Sequence, residues 1–122
     1  MDGNNDIREL CEMIENSIIS METVRKFYIG KTDNIERRRE EHSVEDGYQL
    51  TKQIAEGTPE QINKAEKQAI AYFKKKGDER FENKGDGGEG PDGNLLYISL
   101  GLEITDINDL EDLDITIEPI NL

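Results

Sequence analysis

The stretch FYIGKTDNIERRREEH, residues 27–42, joins the clearest strand-forming run of the chain to a helix. Its first three residues are aromatic or β-branched, as is typical of strands, and the Gly-Lys-Thr that follows marks a tight turn. Asp33 and Glu36 are spaced as in a capping box, in which two side chains satisfy the first backbone N–H groups of a helix. The pattern therefore predicts a strand, a turn and then a helix over residues 34–42.

The same stretch gathers the groups that chemistry on a phosphate needs. Arg38 and His42 are four residues apart, so a helix carries them on one face. An arginine stabilises transition-state charge, a phenol such as Tyr28 can take a proton from water, and a cation such as Lys31 lowers the pKa of a phenol. A strand that packs its tyrosine beside a helix of solvated arginines is the alternative that these residues alone leave open.

Two more elements are predicted before this stretch. Asp6 and Glu9 have the spacing of another capping box, and the apolar residues after them recur at helical intervals, which predicts a helix over residues 7–15. Residues 17–21 and 24–30 form two apolar, partly β-branched runs with two residues between them. These runs predict a β-hairpin whose second strand leads into the basic stretch.

Two elements are also predicted after it. Residues 48–54 place apolar side chains at alternate positions and predict a third strand, although a short helix fits them as well. The sequence TPEQ, residues 58–61, is the clearest helix start in the chain and predicts a helix that ends near Lys76. Glu66 falls within the apolar stripe of this helix, so its carboxylate either faces the sheet or reaches water at the edge of the stripe.

The charge of the chain is divided unevenly along its length. The 122 residues carry a net charge of -13, and their number predicts a single domain. Residues 1–84 hold 18 acids and 15 bases, whereas residues 85–122 hold ten acids and no base. The body of the protein can therefore carry a local basic face, while the total charge argues against a broad, non-specific affinity for nucleic acid.

The acidic end of the chain is predicted to extend the domain. Residues 85–93 are rich in glycine and predict a loop, and residues 95–100 predict a strand. A boundary after residue 100 gives a domain of residues 1–100 and an acidic extension of residues 101–122. This extension fits either a short helix near residues 106–113 followed by a strand, or a segment that depends on a protein partner.

Composition indicates an intracellular protein. No apolar run approaches the roughly 18 residues of a membrane span, and the N-terminus lacks the basic and apolar regions of a signal peptide. We therefore expect a cytoplasmic or nuclear location and no membrane partner. The single Cys11 cannot form an internal disulfide and is predicted to be a buried apolar residue on the first helix.

A family resemblance adds to this interpretation. The sequence YIGKT, residues 28–32, followed by Arg38 ten residues and His42 fourteen residues after its tyrosine, resembles the second motif of the GIY-YIG nucleases. Further along, Glu66 after an alanine resembles the metal-binding glutamate of that family, and Asn83 resembles its late asparagine. The resemblance covers about residues 17 to 90.

The resemblance implies a fold and an activity. The implied fold is of the α/β (α+β) class, with a small, mixed or antiparallel, three-stranded sheet flanked by helices. The implied reaction is one-metal hydrolysis of DNA, including branched or damaged DNA, with Mg²⁺ or Mn²⁺ as cofactor. The implied site has water activated by Tyr28 with the help of Lys31, phosphate held by Arg38, the metal held by Glu66, and support from His42 and Asn83.

The chain departs from the family pattern at the first motif. The family has a Gly-Ile-Tyr about ten residues before the second motif, whereas the corresponding residues 17–20 read SIIS and contain no tyrosine. A second hypothesis follows from this difference. The protein would be a catalytically degenerate member of the fold that acts as a binding or inhibitory module. Its acidic C-terminal segment would take the place of DNA on a basic site of a protein partner or on its own active face.

Overall fold

A computed structural model describes residues 3–41, 47–85, 87, 93–103 and 117–122. It confirms the α/β (α+β) class, with helices that flank a sheet. The helices are α1 (Gly3–Ile14), α2 (Ile35–Glu41) and α3 (Pro59–Lys76), and a π-helical turn spans Glu15–Ile19. The strands are β1 (Val24–Thr32), β2 (Leu50–Glu56), β3 (Leu95–Leu102) and β4 (Ile120–Asn121).

The sheet has the strand order β1-β3-β2-β4. The last long strand of the chain, β3, lies in the middle and pairs antiparallel with both β1 and β2. The two-residue β4 pairs parallel with the outer edge of β2, which adds a fourth strand to the three that were predicted. Because β3 is central, residues far apart in sequence meet on the faces of this sheet.

The core lies between one face of the sheet and the helices α1 and α3. Phe27 of β1 meets Phe73 of α3 edge to face, with 5.1 Å between the ring centroids. Burial of such apolar surface is the main force that holds helix and sheet together. The fully buried core side chains include Ile14, Phe27, Ile29, Ile54, Ile62, Phe73, Leu96, Ile98 and Leu100.

Helix α3 begins and ends as its sequence predicts. The Thr58 hydroxyl accepts from the backbone N–H of Gln61 at 3.2 Å, and the Gln61 side chain accepts from the backbone N–H of Thr58 at 2.8 Å. Pro59 follows at the first helical position, and Gly77 ends the helix in the left-handed region at φ 71°. These local bonds fix where α3 starts, and so the direction in which Glu66 points.

Replacing Thr58 with alanine is expected to destabilise the protein by about 1 kcal/mol, because it removes the acceptor of one N–H group at the start of α3. Thr58→Ser keeps the hydroxyl and should change the free energy of unfolding by less than half of that amount. Chemical denaturation of the two variants measures the difference. Equal stability of both would show that the cap contributes nothing.

The predicted hairpin before the basic stretch is wrong in its first strand. Residues 15–19 form a π-helical turn that continues α1, and the backbone N–H of Ser20 donates to the carbonyl of Glu15 at 3.1 Å. Ile18 and Ile19 are both buried, although neighbouring residues of a strand point to opposite faces. The helical turn buries both side chains, and the strand that pairs with β1 comes instead from the end of the domain.

Of the other predicted elements, one helix and one strand are confirmed, and the ends of the acidic extension belong to the sheet. The helix predicted over residues 7–15 is confirmed and begins earlier, and the third strand is confirmed over the helical alternative. Residues 101–102 belong to β3 and residues 120–121 form β4, so both ends of the predicted extension join the sheet. His42, the proposed helix near residues 106–113 and most of the glycine-rich loop lie outside the described residues.

None of the helices in the described part of the chain combines the length and the apolar character that crossing a bilayer requires.

Candidate active site

A small cavity lies beside the outer edge of β1. Its volume is about 170 Å³, and it lies between β1, α3 and the segment that follows α3. Three of the sequence-predicted site residues, Tyr28, Glu66 and Asn83, line it. The rest of the described lining is formed by Ile70, Lys84, Gly85 and Gly87.

Glu66 is the only acidic side chain in the buried set of the described residues, with 7% of its surface exposed. Its position in the apolar stripe of α3 turns it toward the cavity, which answers the alternative that it stands at a solvated edge. Gly87 has a φ of +86° and packs closely on it, since a methyl group there would lie 3.3 Å from Glu66 Oε1. A nearly buried carboxylate at a cavity wall is suited to hold a cation.

Arg38 is held by two partners on the other side of the sheet. Its Nε donates to the Tyr97 hydroxyl at 3.2 Å, and its Nη1 bonds to Glu41 Oε2 at 2.9 Å. Burial alone would lower the pKa of Arg38, but Tyr97 and Glu41 outweigh it and raise that pKa above its ordinary value. The guanidinium is therefore permanently charged and fixed in position at the face of the sheet that bears Tyr97.

Tyr97 is the site residue that the sequence prediction missed. It is fully buried on the central strand β3 and pairs directly with Gly30 of β1. Its ring centroid lies 6.4 Å from that of Tyr28. Burial is the largest of the causes that raise the pKa of Tyr97 to about 12, the charge of Glu66 adds to it, and Arg38 opposes it. Tyr97 thus links Arg38 electrostatically to the two residues that line the cavity.

Gly30 makes room for the Tyr97 side chain. A methyl group on Gly30 would overlap the Tyr97 hydroxyl and the ring carbon that carries it. The glycine of the sequence YIGKT is therefore needed for space, because its φ is not positive. This close approach is what allows the hydroxyl of a central-strand residue to reach Arg38.

The Gly30→Ala variant is expected to lose about 1 to 3 kcal/mol of stability, as overpacked cores do, and to displace the Tyr97 hydroxyl from Arg38. Gly85→Ala is the matched control, because a methyl group there meets no atom within 4 Å. Denaturation of both variants measures the cost. A Gly30→Ala protein as stable as the Gly85→Ala protein would mean that the sheet yields at this point without strain.

Asn83 acts on the backbone of β1. Its Oδ1 accepts from the Ile29 N–H and its Nδ2 donates to the Ile29 carbonyl, both at 2.8 Å. One step earlier on β1, the Phe27 N–H donates to the Arg80 carbonyl and the Phe27 carbonyl accepts from the Glu82 N–H, both at 2.9 Å. Asn83 thereby covers the open edge of β1 and holds the following loop at the cavity, which agrees with a supporting role.

Lys31 lies apart from the cavity. It is three residues after Tyr28, so the alternation of the strand sends the two side chains to opposite faces. Its Nζ donates to Asn63 Oδ1 of α3 at 2.9 Å. The geometry favours a role for Lys31 at the start of α3 over direct action on the phenol.

The donor set fits a magnesium ion that is bound by one carboxylate. Among the described residues there is no group of three or more His, Cys, Asp or Glu side chains that could enclose a metal. Mg²⁺ usually keeps several waters and is held by one or two carboxylates together with substrate phosphates. Glu66 at the cavity wall matches that mode, because the cavity leaves room for water and a phosphate oxygen beside it.

The arrangement can therefore bind and activate a phosphate from two sides. The carboxylate comes from α3, and the fixed guanidinium lies at the sheet face that bears the two neighbouring phenols, Tyr28 and Tyr97. The sequence signal for Tyr97 was a polar residue at the centre of the apolar run LLYISL, residues 95–100. That signal cannot be assigned to a site without knowing which strand lies beside β1.

A comparison of this chain with protein-family models, with curated proteins and with solved structures finds no match.

Proposed function

We propose that this protein is a metal-dependent endonuclease that hydrolyses DNA phosphodiester bonds by a GIY-YIG-type, one-metal mechanism. One observation carries the proposal: Tyr28 and Glu66 line a single cavity, and Tyr97 connects them to Arg38. A phenol and a carboxylate that line one hollow, with an arginine held by the tyrosine beside that phenol, have no structural reason to lie together. They do have a chemical one, because a phosphodiester brings negative charge that must be neutralised as water attacks.

Each residue has a role that its surroundings support. Glu66 would hold Mg²⁺ or Mn²⁺, and the ion would supply charge neutralisation at the phosphate. Arg38, fixed by Tyr97 and Glu41, would bind the phosphate and stabilise the charge of the transition state. Tyr28, at the cavity wall, would take the proton from the attacking water.

Tyr97 would act as a hydrogen-bond donor. With its pKa raised to about 12, its hydroxyl keeps its proton at neutral pH and cannot serve as the base. Its oxygen accepts from Arg38, and under the proposal its own proton would be donated to a phosphate oxygen or to water.

Tyr97 also bears on the family resemblance. The family pattern expects a tyrosine on the strand that precedes Tyr28, and residues 17–20 lack it. The strand that pairs with β1 is β3, which follows it in the chain and carries Tyr97 opposite Gly30. Under the proposal, the chain builds the two-tyrosine site in the order of a circular permutation, with the first strand moved to the end of the domain. The missing phenol is then no argument for a degenerate protein.

Asn83, Lys31 and His42 have supporting parts in the proposal. Asn83 would hold the cavity loop on β1 through its two bonds to Ile29. Lys31 would position the first turns of α3 through Asn63. His42 lies outside the described residues, and its supporting role stays a prediction from the sequence.

The test is cleavage of a panel of supercoiled, branched, flapped and single-stranded DNA in the presence of Mg²⁺, Mn²⁺, Ca²⁺ or a chelator. We expect strand cleavage with Mg²⁺ or Mn²⁺ and none with the chelator. Cleavage that persists in the chelator would contradict a metal-dependent mechanism. A folded chain that cleaves no member of the panel would contradict the nuclease proposal and favour the binding module.

A further inference from the structure

A second cleft lies between α1 and β4, the strand at one edge of the sheet. Its volume is about 480 Å³, which is within the range of about 300 to 1,000 Å³ that binding pockets span. The residues that line it are Asp6, Glu9, Leu10, Met13, Glu118 and Ile120. None of these six lines the cavity beside β1, so the cleft is separate from the candidate active site.

The α1 wall of the cleft is one stripe of the helix. Asp6, Glu9, Leu10 and Met13 stand at positions i, i+3, i+4 and i+7, which share a face of an α-helix. From the first to the last of them the helix rises about 10 Å, or two turns. The cleft is therefore long enough to follow a second helix for the same distance.

The floor of the cleft is apolar. Leu10 belongs to the hydrophobic core, and Ile120 is half-buried and packs against that core. Met13 is the only large apolar side chain in the exposed set of the described residues, with 37% of its surface exposed. Methionine adapts its shape to different neighbours and is common on surfaces that bind proteins. An apolar side chain placed in the cleft would remove this surface from water.

The acids of the cleft differ from their neighbour Glu12 on α1. Glu12 is paired with Arg8 at 3.3 Å. In the part of the chain that the structure describes, Asp6, Glu9 and Glu118 form no ion pair. Three carboxylates at one cleft repel each other, and a cation bound among them lowers their electrostatic energy. The cleft is therefore complementary to a ligand that is both apolar and positively charged.

We infer that this cleft binds a basic, amphipathic helix of a partner protein. Apolar side chains of that helix would contact Leu10, Met13 and Ile120, and its lysines or arginines would meet the three carboxylates. An apolar centre with a polar rim is the usual arrangement of a protein interface. The inference goes beyond the proposed function and does not depend on it, because no lining residue is shared with the candidate active site.

The length of β4 favours a helix over an added strand as the occupant. Only Ile120 and Asn121 form β4, so the edge that it offers is two residues long. Strand addition gains its affinity from a row of main-chain hydrogen bonds, whereas a helix in a groove is held by side chains at i, i+3, i+4 and i+7. The α1 wall presents side chains at this spacing.

The probe for the cleft is a fluorescent peptide of about 15 residues in which leucine and lysine recur at helical spacing. A peptide of the same composition, with its leucines distributed around the helix, is the control. Binding of both to the full, unaltered chain is measured by anisotropy at several salt concentrations. We expect the patterned peptide to bind on the order of tenfold more tightly, because the charges are equal and only one peptide has an apolar face.

Two double variants test the carboxylates. Glu9→Gln with Glu118→Gln removes two charges of the cleft, and Glu60→Gln with Glu79→Gln removes two exposed charges that do not line it. Both variants therefore have the same net charge. The cleft variant should bind the patterned peptide about tenfold more weakly at low salt, and the difference should shrink as salt screens the charges. The control variant should bind within about twofold of the unaltered chain.

Met13→Gln tests the apolar floor without a change of charge. The side chain is exposed, so the substitution should leave the fold intact. We expect affinity for the patterned peptide to fall about fivefold, and by the same factor at every salt concentration, because the lost contact is apolar.

Four outcomes would overturn the inference. Equal weakening by the two double variants would show that binding follows the total charge of the chain and not the cleft. Unchanged affinity of Met13→Gln would show that the apolar floor takes no part. Equal binding of the two peptides, or the absence of binding by the unaltered chain at low salt, would show that the cleft does not select an amphipathic helix.

Discussion

Replacing Glu66 with glutamine is expected to lower the rate of metal-dependent cleavage by at least about 10³-fold. Removal of a metal's anionic ligand forfeits several kcal/mol of transition-state stabilisation, and each 1.36 kcal/mol is about a factor of ten. The substitution keeps the size of a side chain that is 7% exposed and replaces a carboxylate with a neutral amide. The free energy of unfolding is recorded with the rate, so that a loss of folding is told apart from the loss of a metal ligand. Single-turnover cleavage and denaturation measure the two effects.

The matched control is Glu60→Gln on the same helix. Glu60 is exposed in the first turn of α3, where its charge is worth only a few tenths of a kcal/mol to the helix. Its loss should leave cleavage unchanged. If Glu66→Gln cleaves as fast as Glu60→Gln, Glu66 holds no metal that the reaction needs.

Replacing Tyr97 with phenylalanine is expected to slow cleavage by about 10² to 10³-fold, the usual cost of removing one donor from a charge-stabilising site. The ring stays in the core, so the loss of stability should be near 1 kcal/mol, the worth of a typical hydrogen bond. Arg38 loses the oxygen that fixes its Nε, and the phosphate loses a donor. The lost bond to Arg38 accounts for the small loss of stability, and both changes slow the reaction.

Tyr72→Phe separates these effects from the general loss of a hydrogen-bonded tyrosine hydroxyl. The Tyr72 hydroxyl bonds to Glu15 at 3.1 Å between α1 and α3, and its pKa is also raised to about 12, mainly by burial. This variant should lose similar stability and keep full cleavage activity. The role of Tyr97 would be contradicted if the two variants were slowed equally.

Sequence reasoning succeeds where the determinants are local. The start of α3 follows from four consecutive residues, and the observed hydrogen bonds are the ones a capping box predicts. The placement of Glu66 follows in turn. Once the first residue of α3 is known, the helical period gives the direction in which the Glu66 side chain points. Most of strand β1 and the whole of the short α2 are likewise predicted by local patterns within residues 27–42.

The same reasoning fails where distant segments compete for one position. The run at residues 17–21 is apolar enough for a strand, and it is the nearest candidate to pair with β1. Residues 95–102 form that pair instead, more than sixty residues later. Pairing between distant strands has no local sequence pattern. The place of Tyr97 beside β1 could not be predicted for that reason. The two hydrogen bonds of Asn83 to Ile29 could not be predicted from the sequence for the same reason.

The most direct measurement is single-turnover nicking of supercoiled DNA by the unaltered chain, Glu66→Gln and Tyr97→Phe, with Mg²⁺ and with a chelator. DNA binding is recorded alongside in Ca²⁺. If one site joins β1, α2, α3 and β3, the unaltered chain nicks only with Mg²⁺, and both variants bind DNA equally well but nick far more slowly. Nicking that is the same in all three proteins, or absent from a folded chain that binds DNA, would contradict a catalytic site built from these residues.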